Sequence, residues 1–315
     1  MLESSNTGVL RCAQDDSIGA FFRSLLSPRG AREESEMRVF VDRKSESRRL
    51  ENAILERQSL MICGPAGIGK TALVAKVIAG LPAGLAGRCL EIPGARDLPD
   101  LLRQLVRRLY EAEDPNLARQ LRSEGVSARG FAAWVKKLST SRLKGTVYRT
   151  LERGDYRIFL DHLPRLTKTV AKVVKELFWM RNTPVYLLIR DAGEQHLDPL
   201  YNFFYWGDRE RLALPPLPAQ AAAELLESCV GRFALAGLDL SGFREKVLEL
   251  SQQVPGAIVK MCMLAADRRY QYESRIKIKS VYIDYLLSGH DLHVPAPGSV
   301  SESPRHRVAH GARRG

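Results

Sequence analysis

The chain has 315 residues, of which 45% are hydrophobic and 27% charged, and its formal net charge is +12. This composition is typical of a folded protein of about two domains, and it excludes global disorder and a collagen-like chain. The sequence holds no run of about 18 uncharged apolar residues, so we expect no transmembrane helix and no membrane partner.

Helical and extended patterns alternate along the first two-thirds of the chain. Short apolar runs bounded by turn residues predict strands, and apolar residues at helical spacing predict helices. In chain order we expect a helix over 44–57, a strand over 59–63, a helix over 70–79, a strand over 88–92, helices over 98–112 and 115–152, a strand over 157–161, a helix over 166–181 and a strand over 185–189. Strands that alternate with helices predict a parallel sheet covered on both faces, which is a three-layer αβα fold of the α/β class.

The strand signal stops after about residue 215. Apolar periodicity then predicts helices over 218–230, 241–252, 255–270 and 280–287. Residues 1–36 are mainly polar clusters, and residues 288–315 combine Pro, Gly, Ser, His and Arg without periodicity, so we expect a disordered N-terminal extension and a disordered basic tail. Between them we predict an α/β domain over 37–215 and a small helical domain over 216–287. Whether translation starts at Met1 or Met37 stays open.

Cysteine usage and the N-terminal residues bear on the compartment. The five cysteines form no C-x-x-C pair, which argues against a zinc site and a disulfide framework. The first 30 residues lack the basic-then-apolar order of a secretory signal. We therefore expect a cytoplasmic protein.

One segment matches the phosphate-binding pattern G-x-x-x-x-G-K-[ST] in full. The glycines allow positive φ and close backbone approach, so successive N–H groups can face a phosphate, and the helix that follows points its positive end at the same anion. The lysine would reach the β- and γ-phosphates, and the threonine hydroxyl would bind Mg²⁺. The predicted phosphate ligands are Gly64, Pro65, Ala66, Gly67, Ile68, Gly69, Lys70 and Thr71. We therefore predict a P-loop NTPase that binds ATP or ADP with Mg²⁺.

Three residues at predicted strand ends are further candidates. Asp161 follows an apolar strand and would supply the second ligand of Mg²⁺, although a helix-capping role stays open. His162 stands where many hydrolytic P-loop enzymes carry a glutamate, and a neutral imidazole can also accept a proton. Arg190 ends the next strand, where the carboxyl edge of a parallel sheet faces the nucleotide, so it could contact the γ-phosphate. The alternatives are a strand-end His without a catalytic part and a surface Arg paired with Asp191.

The positive charge is concentrated in residues 132–182, which hold 12 Lys and Arg against 4 Asp and Glu. Lys168, Lys172 and Lys175 are spaced four and three apart, so they share one helical face, opposite a stripe of Val170, Val173, Val174 and Leu177. A cationic ridge of this kind attracts polyanions, and non-specific DNA is a candidate partner. The alternative is an ordinary solvated basic surface.

Beyond the P-loop, the sequence resembles the AAA+ ATPases, in particular the STAND NTPases and the origin-recognition-type initiators. Residues 38–44 with Leu50 resemble the family's F-V-G-R-E box, with Asp42 where Gly is usual. Residues 159–162 are similar to the Walker B segment but lack its second acid. Residues 212–218 and 221–226 resemble the start of the family's helical lid, and residues 253–256 resemble a lid motif with a nucleotide-contacting Pro. Arg190 matches the sensor-1 Arg of the STAND branch, and Gly256 stands where initiators carry the sensor-2 Arg.

The resemblance implies a nucleotide-dependent switch built from the ATPase core and its lid. Phe40, Val41 and Pro255 would border the base, and ATP would close the lid on the core. Slow hydrolysis is implied, because the catalytic Glu is absent from position 162. Arg209 and Arg211 are candidate arginine fingers toward a neighbouring subunit of a nucleotide-dependent homo-oligomer. Two alternatives stay open: a DNA-dependent ATPase of initiator or transposition-helper type, and an ATP-binding module that does not hydrolyse.

Overall fold

The structure is a computed structural model that describes residues 42–161, 163, 167–180, 182–190 and 211–287. Its helices are α1 Lys44–Leu55, α2 Lys70–Gly80, α3 Ala83–Ala86, α4 Leu98–Glu111, α5 Pro115–Ser123, α6 Phe131–Lys137, α7 Thr140–Arg153, α8 Lys168–Phe178, α9 Ala219–Arg232, α10 Phe243–Ser251, α11 Pro255–Ala265 and α12 Ile278–Leu287. Its strands are β1 Leu60–Gly64, β2 Cys89–Ile92, β3 Arg157–Asp161, β4 Val185–Arg190, β5 Arg211–Ala213, β6 Gln271–Tyr272 and β7 Arg275–Ile276. Among the described helices, none combines the length and the apolar character that crossing a membrane requires.

Five strands form one parallel sheet in the order β2-β3-β4-β1-β5. Because β4 lies between β1 and β3, the chain crosses over within the sheet, and the carboxyl ends of these three strands meet at one edge. In register, Gly64 at the end of β1 lies beside Arg190 at the end of β4. Asp161 at the end of β3 pairs with Leu188. The predicted α/β fold with a parallel sheet is confirmed.

Helices cover both faces of this sheet, because successive strand residues alternate between two hydrophobic clusters. Met61 and Cys63 pack with helices α4 to α8, whereas Leu60 and Ile62 pack with α1 and α2. Helix α4 illustrates the local cause: Asp97 caps it by accepting from the amide of Asp100. Its apolar residues recur at helical spacing and are all buried, namely Leu101, Leu102, Leu105, Val106 and Leu109.

The residues from 217 to 285 enclose a hydrophobic core of their own, built from α9 to α12. We call this part the lid. The lid also contains a feature that contradicts the sequence expectation, because the strand signal was expected to stop at about residue 215. Strands β6 and β7 form a two-residue antiparallel hairpin between α11 and α12. The predicted domain boundaries at 37, 215 and 287 stay predictions.

The continuous helical stretch expected over 115–152 is wrong. Three helices occupy it, and they are separated where the backbone leaves the helical region. Gly125 has φ +66°, which follows α5 directly. Leu138 and Ser139 are extended, and the Ser139 side chain then caps α7 by accepting from the amide of Arg142. Apolar periodicity continues through these breaks, which explains why it did not reveal them.

Helix α8 has the two faces that its sequence predicts. Lys168, Lys172 and Lys175 are exposed. The opposite stripe is buried against the sheet and consists of Val170, Ala171, Val173, Val174 and Leu177. The rest of the basic segment is less free than expected. Arg157 is only 4% exposed, and Lys144 and Arg142 form ion pairs with Glu176 and Glu124.

Candidate phosphate-binding site

The loop between β1 and α2 has a backbone that glycine permits. Gly64, Gly67 and Gly69 have φ of +152°, +74° and +99°, values that other residues rarely adopt. Space is also short at Gly64, where a Cβ atom would lie 3.1 Å from the carbonyl oxygen of Leu214 and 3.0 Å from Cγ2 of Ile68. The loop therefore depends on glycine for its shape and, at Gly64, for its packing as well.

Lys70 places its charge within this loop. Its Nζ donates to the carbonyl oxygen of Gly64 at 2.7 Å and to that of Pro65 at 3.0 Å. The residue is only 8% exposed, and it is the first residue of α2, whose positive dipole end faces the same way. The lysine, the helix start and the glycine backbone together form a compact cationic cradle suited to a phosphate.

Thr71 and Asp161 come together across 90 residues of sequence, at the carboxyl edge of the sheet. The Thr71 hydroxyl donates to Oδ2 of Asp161 at 2.5 Å. Asp161 ends β3 and is partly exposed, and Thr71 is exposed in the first turn of α2. An oxygen pair of this kind suits Mg²⁺, a hard cation that takes few protein ligands and keeps several waters. The residues present therefore fit the metal that the P-loop pattern implies.

Arg190 is the exposed last residue of β4. Its register position beside Gly64 places it next to the first residue of the phosphate loop, on the strand between β1 and β3. The structure thus brings the loop, Asp161 and Arg190 to one edge of the sheet, as the sequence predicts. Their roles toward a nucleotide stay predictions.

Arg43 is a site residue that the sequence analysis missed, although it lies within the family-like box of residues 38–44. Its Nη2 donates to the carbonyl oxygen of Ile68 in the loop at 3.1 Å and to that of Pro215 at 2.8 Å. Its Nη1 forms an ion pair with Glu46 at 3.1 Å. The residue is 5% exposed. A buried arginine with these partners fixes the loop to the segment that leads into the lid.

The lid contacts the phosphate loop directly. The amide of Gly256, in the first turn of α11, donates to the carbonyl oxygen of Gly67 at 2.8 Å. A Cβ atom at position 256 would lie 2.8 Å from Cα of Gly67 and 2.9 Å from its oxygen. The Gly in place of a sensor-2 Arg therefore has a physical reason, because no side chain fits there. Pro255, the expected base contact, begins α11 beside the loop.

Several predicted residues lie outside the described part of the chain. These are the base-bordering Phe40 and Val41, His162 after the Walker B strand, and the finger candidate Arg209. The second finger candidate, Arg211, begins β5 in register with Met61 and is partly buried. It therefore lies toward the amino ends of the strands, away from the edge that carries the phosphate loop.

The sequence profile of the AAA ATPase domain matches residues 39–236, which is more than half of the chain. This chain belongs to the AAA ATPase family. The matched range extends from the box before α1, through the phosphate loop and the sheet, into the lid. As an AAA ATPase it is expected to bind nucleotide at the cradle formed by the loop. A search of curated proteins found no match.

Three solved structures are similar to this AAA ATPase at low identity. The Walker-type ATPase PABY2304 of Pyrococcus abyssi is 17% identical over 79% of this chain and 72% of that protein, with a TM-score of 0.49. Cdc6p from Pyrobaculum aerophilum is 13% identical over 78% and 65%, with a TM-score of 0.45. PCH-2 of C. elegans is 12% identical over 87% and 67%, with a TM-score of 0.39.

Proposed function

We propose that this AAA ATPase is a nucleotide-dependent switch of the STAND or origin-recognition type, in which the lid responds to ATP at the phosphate loop. The observation that carries the proposal is the hydrogen bond from Gly256 of the lid to Gly67 of the loop, 2.8 Å long. A lid in backbone contact with the phosphate loop cannot move without changing the environment of the bound phosphates.

Each residue has a role in this proposal. Lys70 and the loop amides bind the phosphate oxygens, and Pro255 borders the base together with Phe40 and Val41. Thr71 and Asp161 hold Mg²⁺, which, when bound, offsets the negative charge of the β- and γ-phosphates. Arg190 contacts the γ-phosphate, so its loss on hydrolysis removes one of the contacts that keep the lid closed.

Hydrolysis is proposed to be slow. Position 162 carries His in place of the Glu that many hydrolytic P-loop enzymes use to orient water, and an imidazole is a base only in its neutral form. Nucleotide-dependent homo-oligomers are part of the proposal, with an arginine from a neighbouring subunit, Arg209 or Arg211, completing the site. Sizing chromatography with ATP and with ADP tests that assembly.

Calorimetric titration with ATP tests the central proposal. Lys70→Ala should weaken binding at least about tenfold, since it removes a largely buried charge contact to phosphate. Lys76→Ala, an exposed lysine of the same helix, is the matched control and should bind as the wild type does. An unchanged affinity in Lys70→Ala contradicts the P-loop assignment. ATP binding without phosphate release over hours would favour the non-hydrolysing alternative.

A second candidate function is a DNA-dependent ATPase, with sequence-independent DNA contact through residues 132–182. It is favoured by the exposure of Lys168, Lys172 and Lys175 along one face of α8, with the apolar stripe of that helix buried. Phosphate release measured with and without DNA tests it. Stimulation that disappears at high salt supports the candidate, because phosphate contacts by lysine release counterions.

A further inference from the structure

The outer face of α8 carries an aromatic side chain in line with its lysines. Trp179 follows the last helical residue and is 70% exposed, which is unusual for the largest apolar side chain. At about 100° per residue, Lys168, Lys172, Lys175 and Trp179 all lie within about 60° of one another. We call these four residues the α8 ridge. It is about 16 Å long, from the rise of about 1.5 Å per residue.

The neighbours of Trp179 leave its ring available. Phe178 contacts it edge-on, with ring centroids 5.8 Å apart and an interplanar angle of 89°. This contact orients the indole while most of its surface stays in water. A rigid aromatic ring at the end of a row of positive charges combines the two features that single-stranded nucleic acids require, a cationic track for phosphates and a surface on which bases stack.

The acid on α8 does not cancel the charge of this ridge. Glu176 receives a hydrogen bond from the Tyr148 hydroxyl at 2.6 Å and an ion pair from Lys144 at 2.6 Å, both from α7. These contacts hold the pKa of Glu176 below its usual value, with the Lys144 hydrogen bond as the largest cause. The carboxylate is thus neutralised by α7, and the lysines of the ridge keep their excess of positive charge.

We propose that the α8 ridge binds single-stranded DNA, with Lys168, Lys172 and Lys175 on successive phosphates and Trp179 stacked on a base. This inference rests on the second function proposed above, a DNA partner, and names its form. A duplex offers its phosphates to the lysines but keeps its bases stacked inside, so it cannot use Trp179. The ridge length matches several phosphates at about 3.4 Å per nucleotide of one stacked strand.

Fluorescence anisotropy of a labelled 20-nucleotide oligo-dT, titrated with the full chain over a range of salt, tests the inference. Lys168, Lys172 and Lys175 replaced together by Gln should lower the slope of log K against log salt by about 2, from about 0.7 per phosphate contact in a single strand. Trp179→Ala should weaken binding at least about fivefold and leave that slope unchanged, because it removes stacking and no charge. Trp179→Phe should restore most of the affinity.

Matched controls separate the ridge from general charge and exposed aromatics. Tyr272 is 63% exposed in the lid with a lysine, Lys277, 5.9 Å from its ring centroid. Tyr272→Ala should leave oligo-dT binding unchanged. Replacing Lys44, Lys76 and Lys279 by Gln removes the same charge from three scattered exposed positions and should change the slope much less.

The outcomes distinguish this inference from the proposal on which it rests. Equal affinity for oligo-dT and for a duplex of the same length, with no effect of Trp179→Ala, overturns the single-strand inference but leaves a DNA partner. Binding to neither probe at 50 mM salt overturns both. If Trp179→Ala instead dissociates an oligomer in sedimentation and leaves oligo-dT affinity unchanged, Trp179 belongs to a subunit contact and the inference is overturned.

Discussion

Replacing Gly256 by Ala tests the contact between lid and phosphate loop. The added methyl group would lie 2.8 Å from Cα of Gly67, and ordinary contacts begin at 3.4 Å, so α11 must retreat by about 0.6 Å. Both obstructing atoms belong to the backbone, so no side-chain rotation relieves the clash. The hydrogen bond from Gly256 to Gly67, now 2.8 Å, then stretches beyond about 3.2 Å and is lost.

The expected magnitude follows from this geometry. A lost hydrogen bond whose partners become partly unsatisfied costs about 1–3 kcal/mol. Because the proposed ATP site lies between the loop and the start of α11, this cost should appear as an ATP affinity lower by about five- to hundredfold. The lid itself should not be weakened, since Ala is favoured over Gly within a helix by about 1 kcal/mol.

The assay combines two measurements on the same protein. Calorimetric titration gives the ATP affinity, and thermal unfolding without nucleotide gives stability. Gly231→Ala is the matched control, because it also replaces a helical glycine of the lid, but a Cβ atom there meets nothing within 4 Å. Gly231→Ala should keep the wild-type affinity. Gly256→Ala with wild-type ATP affinity and unchanged stability would refute the coupling of lid and loop.

Three further predictions concern single side chains. Asp161→Asn should leave the ATP affinity in EDTA within a few-fold of wild type but abolish its dependence on Mg²⁺, since a neutral amide is a poor ligand for a hard cation; calorimetry with and without Mg²⁺ decides this. Asp42 has φ +57°, so Asp42→Gly should equal or exceed the wild-type stability, whereas Asp42→Val should lose about 1–2 kcal/mol in chemical denaturation. Asp114 is 2% exposed, caps α5 and accepts from the Tyr156 hydroxyl at 2.6 Å, so Asp114→Ala should cost about 2–4 kcal/mol. Tyr156→Phe should cost less, and equal losses would show that the cap contributes nothing.

The elements that the sequence predicted well are those set by neighbouring residues. Strand β1 is a short apolar run bounded by turn residues, and the P-loop follows it as one contiguous pattern, so both are readable locally. The position of Asp161 at a strand end was also visible, because an apolar run precedes it. The structure adds its distance to Thr71, 2.5 Å across 90 residues.

The elements that were missed depend on contacts between distant segments. Strand β5 has only three residues, Arg211–Ala213, and its pairing with β1 defines it more than its composition does. Arg43 is a charged residue next to a helix start, which ordinarily indicates a solvated position. Its burial follows from partners 25 and 172 positions away, Ile68 and Pro215. No local pattern carries that information.

The contacts of Arg43 and Gly256 act on the same part of the loop. Gly256 donates to the carbonyl of Gly67, and Arg43 donates to the carbonyl of Ile68. In a trans peptide the carbonyl and the following N–H point in opposite directions. Each outward bond therefore fixes the opposite orientation of an N–H group, that of Ile68 in the first case and that of Gly69 in the second. The amides of the phosphate loop are thus oriented by two donors, one from the segment before α1 and one from the lid. Because only the second donor moves with the lid, the loop can respond to lid opening at Gly67 while Arg43 still holds the rest of its backbone.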